Sequence, residues 1–327
     1  MLEFLSDKSW LAPQINFLLS LQNIRVNCPE FVNNLSIFIT SIGETLIPML
    51  ICSIFYWCIN AKDGIFLFSL FGFQYILSQL LKMLACVYRP WILDSNIHPP
   101  ESVYPHSRNY SFPSGHSSMV ASNLGGICTI IKNNPIRTFL IFLILLVGFS
   151  RMWLGVHTPQ DIIVGFLIGI TLIFIVKPLI DLAEKNKNLY LYILGLTNVI
   201  ALGIMIYLAY FHHCPVDYVN GEVIVNPYKS FYAIIVTYGC SLGILNGLYL
   251  CRRFFPFDPQ EASIKARILR GIIGAILVTV LYDIFIEKYI IQVERDYKFA
   301  FIVTFMIGIF VTLIYPVIFS KIKFLNK

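Results

Sequence analysis

Nine apolar stretches dominate the chain, near 36–59, 64–88, 113–131, 138–156, 160–180, 189–211, 229–250, 269–290 and 299–320. A helix needs about 20 apolar residues to cross the hydrocarbon core of a bilayer, and these stretches have about that length. The expected fold class is therefore all-α, a polytopic transmembrane helix bundle of about nine spans. Composition agrees: of 327 residues, 57% are hydrophobic and 13% charged, against roughly 25% charged in soluble domains.

Ahead of the first span, residues 10–26 place Leu11, Ile15, Leu18, Leu19 and Ile24 at helical spacing, with Gln14, Asn16, Gln22, Asn23 and Arg25 between them. That stretch is too polar to span and suits an amphipathic helix lying in the interface. Met1 to Trp10 carries Glu3 and Asp7 and no signal-peptide pattern, so the first span is expected to direct insertion. The expected organisation is an interfacial segment over 1–35, a core of five spans over 36–185 and a four-span extension over 186–327.

Basic residues set the orientation. If the Lys62 loop is cytoplasmic, then so are Lys132, Arg137, Lys177, Lys185, Lys187, Arg252, Arg253, Lys265, Arg267, Arg270, Lys321, Lys323 and Lys327, which together make fourteen of the 24 basic residues. The N-terminus is then outside and the C-terminus inside. The net charge of +6 is scattered among short loops without an aromatic-interleaved cluster, which excludes nucleic acid as a partner. Eight cysteines show no CxxC and no zinc-type spacing, and most read as small buried hydrophobes. Cys28, Cys86 and Cys214 fall near the outer side, where one disulfide among them can form. The pairs Gly165/Gly169, Gly239/Gly243 and Gly243/Gly247 have the spacing that lets helices approach closely.

Against this apolar background the stretch 109–161 stands out, together with Lys82 and Arg89 just upstream. Lys82 and Arg89 are seven apart, so they share a helix face at the outer end of the second span. Pro90 disfavours helix at Arg89 and places it near the helix end. Snorkelling to headgroups accounts for this pair equally well. Pro113-Ser114-Gly115-His116 reads as a helix start, with Ser114 as cap and Gly115 permitting close backbone approach. Unpaired N–H groups at such a start favour an anion, which His116 would face.

Thr158-Pro159-Gln160-Asp161 reads as a second start, from N-cap to N3. His157 precedes the cap, and Asp161 can reach back to one ring nitrogen, leaving the other as nucleophile or base. A capping box with an incidental histidine leaves Arg151 unexplained. Three cations, two histidines and two helix starts at the outer face fit a doubly charged phosphate with in-line attack. No carboxylate cluster or Cys/His set stands out as a metal site, and neither metal nor cofactor is expected.

Lys82-x6-Arg89-Pro90, Pro113-Ser114-Gly115-His116 and Ser150-Arg151-x5-His157-x3-Asp161 resemble the three-part signature of the type 2 phosphatidic-acid phosphatase superfamily. Its eleven fixed residues occur in order within residues 36–180. The resemblance implies that His157 attacks phosphorus to form a phosphohistidine, that Asp161 orients it, and that His116 protonates the leaving oxygen and later activates water. It further implies that Lys82, Arg89, Arg151, Ser114 and Gly115 hold the phosphoryl oxygens.

The span count and orientation resemble the glucose-6-phosphatase layout within that superfamily, and the apolar runs set aside a soluble haloperoxidase. A lipid phosphate or diphosphate is the expected substrate, such as phosphatidic acid, phosphatidylglycerophosphate or an isoprenyl diphosphate. The alternatives are a soluble sugar phosphate, or a phosphotransferase passing the phosphoryl group to an alcohol. A transporter is a third class, but it would not need two histidines beside helix starts. The expected location is the bacterial plasma membrane with the site outward, or the endoplasmic reticulum with a lumenal site. Glu44 falls mid-span, where Lys82 is a candidate partner. Asp283 and Glu287 suit interface solvation or pairing, and His98, Tyr104, His106, Arg108 and Tyr110 are loop polarity or substrate contacts.

Overall fold

The computed structural model describes residues 8–103, 109–212, 214, 216, 218–219, 222–223, 225–284 and 296–326. Tyr104, His106, Arg108 and Glu287, singled out in the sequence, lie outside them. The described residues are helical apart from loops and one short antiparallel pair, Tyr218–Val219 with Glu222–Val223. In chain order the helices are α1 (Lys8–Val26), α2 (Glu30–Ser41), α3 (Leu46–Ile54), α4 (Ala61–Ala85), α5 (Pro90–Leu93), α6 (Gly115–Ile130) and α7 (Asn134–Trp153). Then follow α8 (Pro159–Lys185), α9 (Lys187–Tyr210), α10 (Pro227–Phe254), α11 (Ile264–Leu281), α12 (Tyr297–Ile309), α13 (Tyr315–Lys321) and α14 (Lys323–Asn326).

Each apolar stretch is largely helical where the structure describes it, but among the described residues the number suited to crossing a membrane is smaller than nine. Six helical segments have the length and composition: Ala61–Leu93, Asn134–Trp153, Pro159–Lys185, Asn188–Tyr210, Pro227–Phe254 and Tyr297–Lys321. A seventh arises if α2 and the segment Leu46–Ile59, bent by 50° at the break between them, form one span. Helix α6 has 16 residues, about 24 Å at 1.5 Å per residue, and α11 carries Lys265, Arg267 and Arg270. An apolar run is thus necessary for a span, but helix length and charge decide which runs qualify.

The chain forms two compact units. One comprises residues 1–44, 77–170 and 206–231, and the other 45–76, 171–205 and 232–327. In the first, α1 buries Leu11, Ile15, Leu18 and Leu21 against Ile97, Val103, Trp153, Leu154 and Val156. The apolar face read from the sequence is therefore largely protein-facing, and Ile24, assigned to it, is exposed. Helix α8 lies close on α6 because Gly165 and Gly169 have no side chains. A Cβ at Gly165 would come within 2.8 Å of Ser114 O, and one at Gly169 within 2.6 Å of Ala121 Cβ. That approach brings the starts of the two helices together.

In the second unit a Cβ on Gly243 would lie 2.1 Å from Phe305 O, so the close contact of α10 with α12 also rests on glycine. Trp57 Nε1 donates to Val311 O and Arg270 Nε to Leu325 O, while the Arg270 guanidinium lies over Phe319. The C-terminal helices therefore pack with residues 45–76 through buried, hydrogen-bonded polar groups.

Candidate active site

Three elements of the first unit converge on His157. Gly155, at φ +70°, takes the left-handed conformation that glycine adopts without a Cβ penalty. This turn after α7 carries the chain back toward α8, and Val156 N donates to Arg151 O. His157, one residue later, is almost fully buried. Its Nδ1 lies 3.2 Å from Asp161 Oδ2, the reach across one turn expected from the sequence.

On the other side of the ring, Arg89 Nη1 lies 2.8 Å from Nε2. A guanidinium only donates, so Nε2 is the acceptor and Nδ1 carries the proton toward the carboxylate. The same Arg89 nitrogen also donates to Val156 O, and Arg89 Nε donates to Asn109 O. The ring is thus fixed in tautomer and orientation.

Asp161 Oδ2 accepts from three groups: Nδ1–H of His157, the Ser111 hydroxyl at 2.5 Å and the Thr158 N–H at 2.9 Å. Oδ1 has no partner among the described residues. The Thr158 N–H to Asp161 bond is one half of the expected capping box. The other half is missing, because the Thr158 hydroxyl has no partner among the described residues and Asp161 N donates to Thr158 O. Gln160 N donates to Gln14 Oε1 of α1, and Gln160 Oε1 accepts from Trp10 Nε1 at 2.6 Å. The N–H groups at the start of α8 are therefore used within the protein, so this start orients His157 and does not face an anion.

Ser114 caps α6, accepting from Ser117 N, and its own N–H donates to Asp161 O, which joins the two helix starts through one backbone bond. A Cβ built on Gly115 meets nothing within 4 Å, so no neighbouring protein atom requires glycine there. His116 follows, half-buried, with Gly43 at the break between α2 and α3 packed on it. Arg89, Arg151, Lys82 and His116 all act electrostatically on His157, so these five side chains share one site.

The three cations hold different positions. Lys82 is buried and donates to the carbonyls of Tyr110, Ser111 and Pro113 at 2.9–3.0 Å, using all three protons to fix the segment before α6. Headgroup snorkelling does not describe it. Arg151 is buried, donates from Nη1 to Thr40 Oγ1, and its Nε–H has no partner among the described residues. A buried unmet donor on a cation is costly unless a ligand meets it. Glu44, at the break between α2 and α3, acts on Arg151.

Ser111, Thr40 and the Gln14–Gln160 pair did not stand out in the sequence. Each is a common polar residue whose value depends on a partner 50, 111 or 146 positions away. Cys86 and Cys214, also remote in sequence, are joined in a disulfide. His212 Nε2 bonds Met83 O and lies near both sulfurs, so Cys86, His212 and Cys214 form a Cys/His set that spacing did not reveal.

Residues 63–185 match the family described as PAP2 superfamily, and residues 235–327 match its phosphatase transmembrane extension. The chain belongs to the PAP2 superfamily. All three motif blocks lie inside the first matched region. An undecaprenyl-diphosphatase of Sulfolobus acidocaldarius is 28% identical over 149 residues, covering 45% of this chain and 69% of that protein. Phosphatidylglycerophosphatase B of Bacillus subtilis is 29% identical over 161 residues, covering 45% and 74%. A crystal structure of a transmembrane PAP2 type phosphatidylglycerolphosphate phosphatase from Bacillus subtilis has 26% identity, covers 52% of this chain and 86% of that one, and gives a TM-score of 0.39. This PAP2 superfamily member is an integral, multi-pass membrane phosphatase, a hydrolase of phosphoric esters.

Proposed function

We propose that the protein hydrolyses the phosphate monoester or diphosphate of a membrane lipid through a phosphohistidine on His157, at the extracytoplasmic face of a bacterial plasma membrane. The observation that carries this reading is the state of the His157 ring. Nδ1–H is held by Asp161, and the unprotonated Nε2 presents its electron pair to Arg89. A nucleophile needs that lone pair presented to the electrophile.

As substrate enters, Arg89 exchanges its bond to Nε2 for one to a phosphoryl oxygen, and Nε2 attacks phosphorus in line with the leaving oxygen. The bond to the leaving oxygen breaks, and His116 supplies its proton. Water then attacks the phosphohistidine, losing a proton to His116, and inorganic phosphate departs as Nε2 recovers its electron pair. Positive charge on the phosphorylated ring is balanced by Asp161. The equatorial oxygens are met by Arg89, by the open Nε–H of Arg151 and by the start of α6 at Gly115, with Ser114 holding that start and Lys82 adding positive potential. Fixed donors aimed at developing charge are an effective source of rate acceleration.

Similarity to an undecaprenyl-diphosphatase and to a phosphatidylglycerophosphatase supports a lipid substrate, an isoprenyl diphosphate or a glycerophospholipid phosphate. The topology follows the basic loops, which place residues 89–112 and the motif ends outside.

The test is phosphate release in detergent from phosphatidic acid, phosphatidylglycerophosphate, an isoprenyl diphosphate and glucose 6-phosphate, with chelator present and with an alcohol acceptor in a parallel arm. A lipid phosphate is expected to be hydrolysed without added metal, and His157→Ala to lose both turnover and the acid-labile phosphoenzyme. Full turnover by His157→Ala, or activity confined to metal-supplemented samples, refutes the mechanism. Preference for glucose 6-phosphate, or label passing to the alcohol, refutes the substrate or the hydrolytic outcome.

A further inference from the structure

Ser111 lies outside the three motif blocks, yet every polar group it owns is committed to the site. Its N–H donates to Val87 O, its carbonyl accepts from Lys82 Nζ and its hydroxyl donates to Asp161 Oδ2. The residue is 1% exposed. One amino acid therefore ties the segment after α4, the lysine of the first block and the carboxylate of the third.

The hydroxyl has a single proton, and the 2.5 Å bond to the acceptor-only Asp161 carboxylate takes it. Toward His157 the Ser111 oxygen can then only accept, and it lies 3.3 Å from Nδ1. The Nδ1–H thus faces two oxygens, Asp161 Oδ2 at 3.2 Å and Ser111 Oγ at 3.3 Å. A buried serine with an incidental role would need one partner. This one bridges the two members of a reacting pair.

From this geometry we propose that Ser111 is a positioning residue for the phosphoryl-transfer step, holding the Asp161 carboxylate on the Nδ1 side of His157 and sharing the Nδ1 proton. The inference rests on His157 being the nucleophile. As Nε2 bonds phosphorus, the ring becomes cationic and its Nδ1–H a stronger donor, and the Asp161–Ser111 pair is already placed to receive it without rearrangement. Outer-shell partners of this kind typically alter function by 10- to 100-fold when removed.

The experiment compares wild type with Ser111→Ala, Ser111→Thr and His157→Gln in detergent. It reads the single-turnover rate of phosphoenzyme formation from labelled lipid phosphate, the steady-state kcat and KM, and the His157 Nδ1–H resonance in protein carrying 15N-labelled histidine. Ser111→Ala is expected to slow phosphoenzyme formation about 10- to 100-fold with KM changed less than about threefold, and to move the Nδ1–H resonance. Ser111→Thr, which keeps the donor, is expected to restore most of the rate.

An alanine variant with the wild-type rate and an unmoved resonance overturns the proposal. So does a loss that appears equally in KM, kcat and thermal stability and is not relieved by threonine, since that is a packing effect. The His157→Gln arm separates the two readings: a phosphoenzyme that survives this change removes the nucleophile assignment, whereas its loss beside an unaffected Ser111→Ala removes the positioning role alone.

Discussion

Asp161→Asn removes one charge while leaving most of the surrounding geometry in place. The asparagine carbonyl can take the position of Oδ2 and still accept from Ser111, Thr158 and His157. Its amide then falls where Oδ1 lies, an atom without a partner among the described residues. Two unmet amide protons cost about 1–3 kcal/mol of stability, which a membrane protein of this size should survive.

The catalytic cost comes from the ring's charge in the phosphorylation step. At an effective dielectric of about 20, unit charges separated by the observed 3.2 Å attract by about 5 kcal/mol, an upper limit of three to four orders of magnitude in rate. A lower limit is the difference between a charge-assisted and a neutral hydrogen bond, about 1–1.5 kcal/mol or roughly tenfold. The expected fall in phosphoenzyme formation is therefore about a hundred- to a thousandfold, with KM little changed because Asp161 does not touch the phosphate. Rapid-quench measurement of acid-labile phosphoenzyme, with a melting curve for each protein, gives the number. A variant that is folded and within tenfold of wild type refutes the idea that carboxylate charge stabilises the phosphorylated ring.

Gly115→Ala should fold normally, since the new Cβ meets no atom within 4 Å, yet raise KM or lower kcat at least about tenfold if a phosphoryl oxygen approaches that backbone. Inorganic phosphate as a competitive inhibitor gives the matching binding constant, and an unaffected variant removes Gly115 from the site. Cys86→Ser should lower thermal stability, because the bond to Cys214 closes a loop of 128 positions and loop-closure entropy sets an upper limit of about 5 kcal/mol. Melting with and without reductant checks this, and the reductant effect should vanish in the variant.

What the sequence disclosed follows from the range of the interactions involved. Helices and their breaks are local, so the apolar runs fall on the long helices, and Ser114 and Pro159 marked two starts correctly. The reach from Asp161 to His157 is one helical turn and was legible for the same reason. Whether an open N–H at a helix start remains open is a tertiary matter. Thr158-Pro159-Gln160-Asp161 reads as an anion site until Gln14, 146 residues away, occupies it. Ser111 was hidden in the same way, since a serine in a polar loop carries no periodic signal. Among the described residues fewer than nine runs meet the length and charge of a span, because α6 is short and α11 carries three basic residues.

The closed start of α8 sharpens the proposed chemistry. Had it been open, a bound phosphate could rest against it, and His157 would compete with those backbone donors for its oxygens. With the α8 start closed by Asp161 and Gln14, the Arg151 Nε–H is a buried donor without a partner among the described residues. In the proposed mechanism a phosphate drawn to Arg151 would present phosphorus to Nε2, since Arg89 already lies against that nitrogen. Orientation of the attack thus arises from which backbone groups the protein has already satisfied, and α1 contributes to it through a single glutamine.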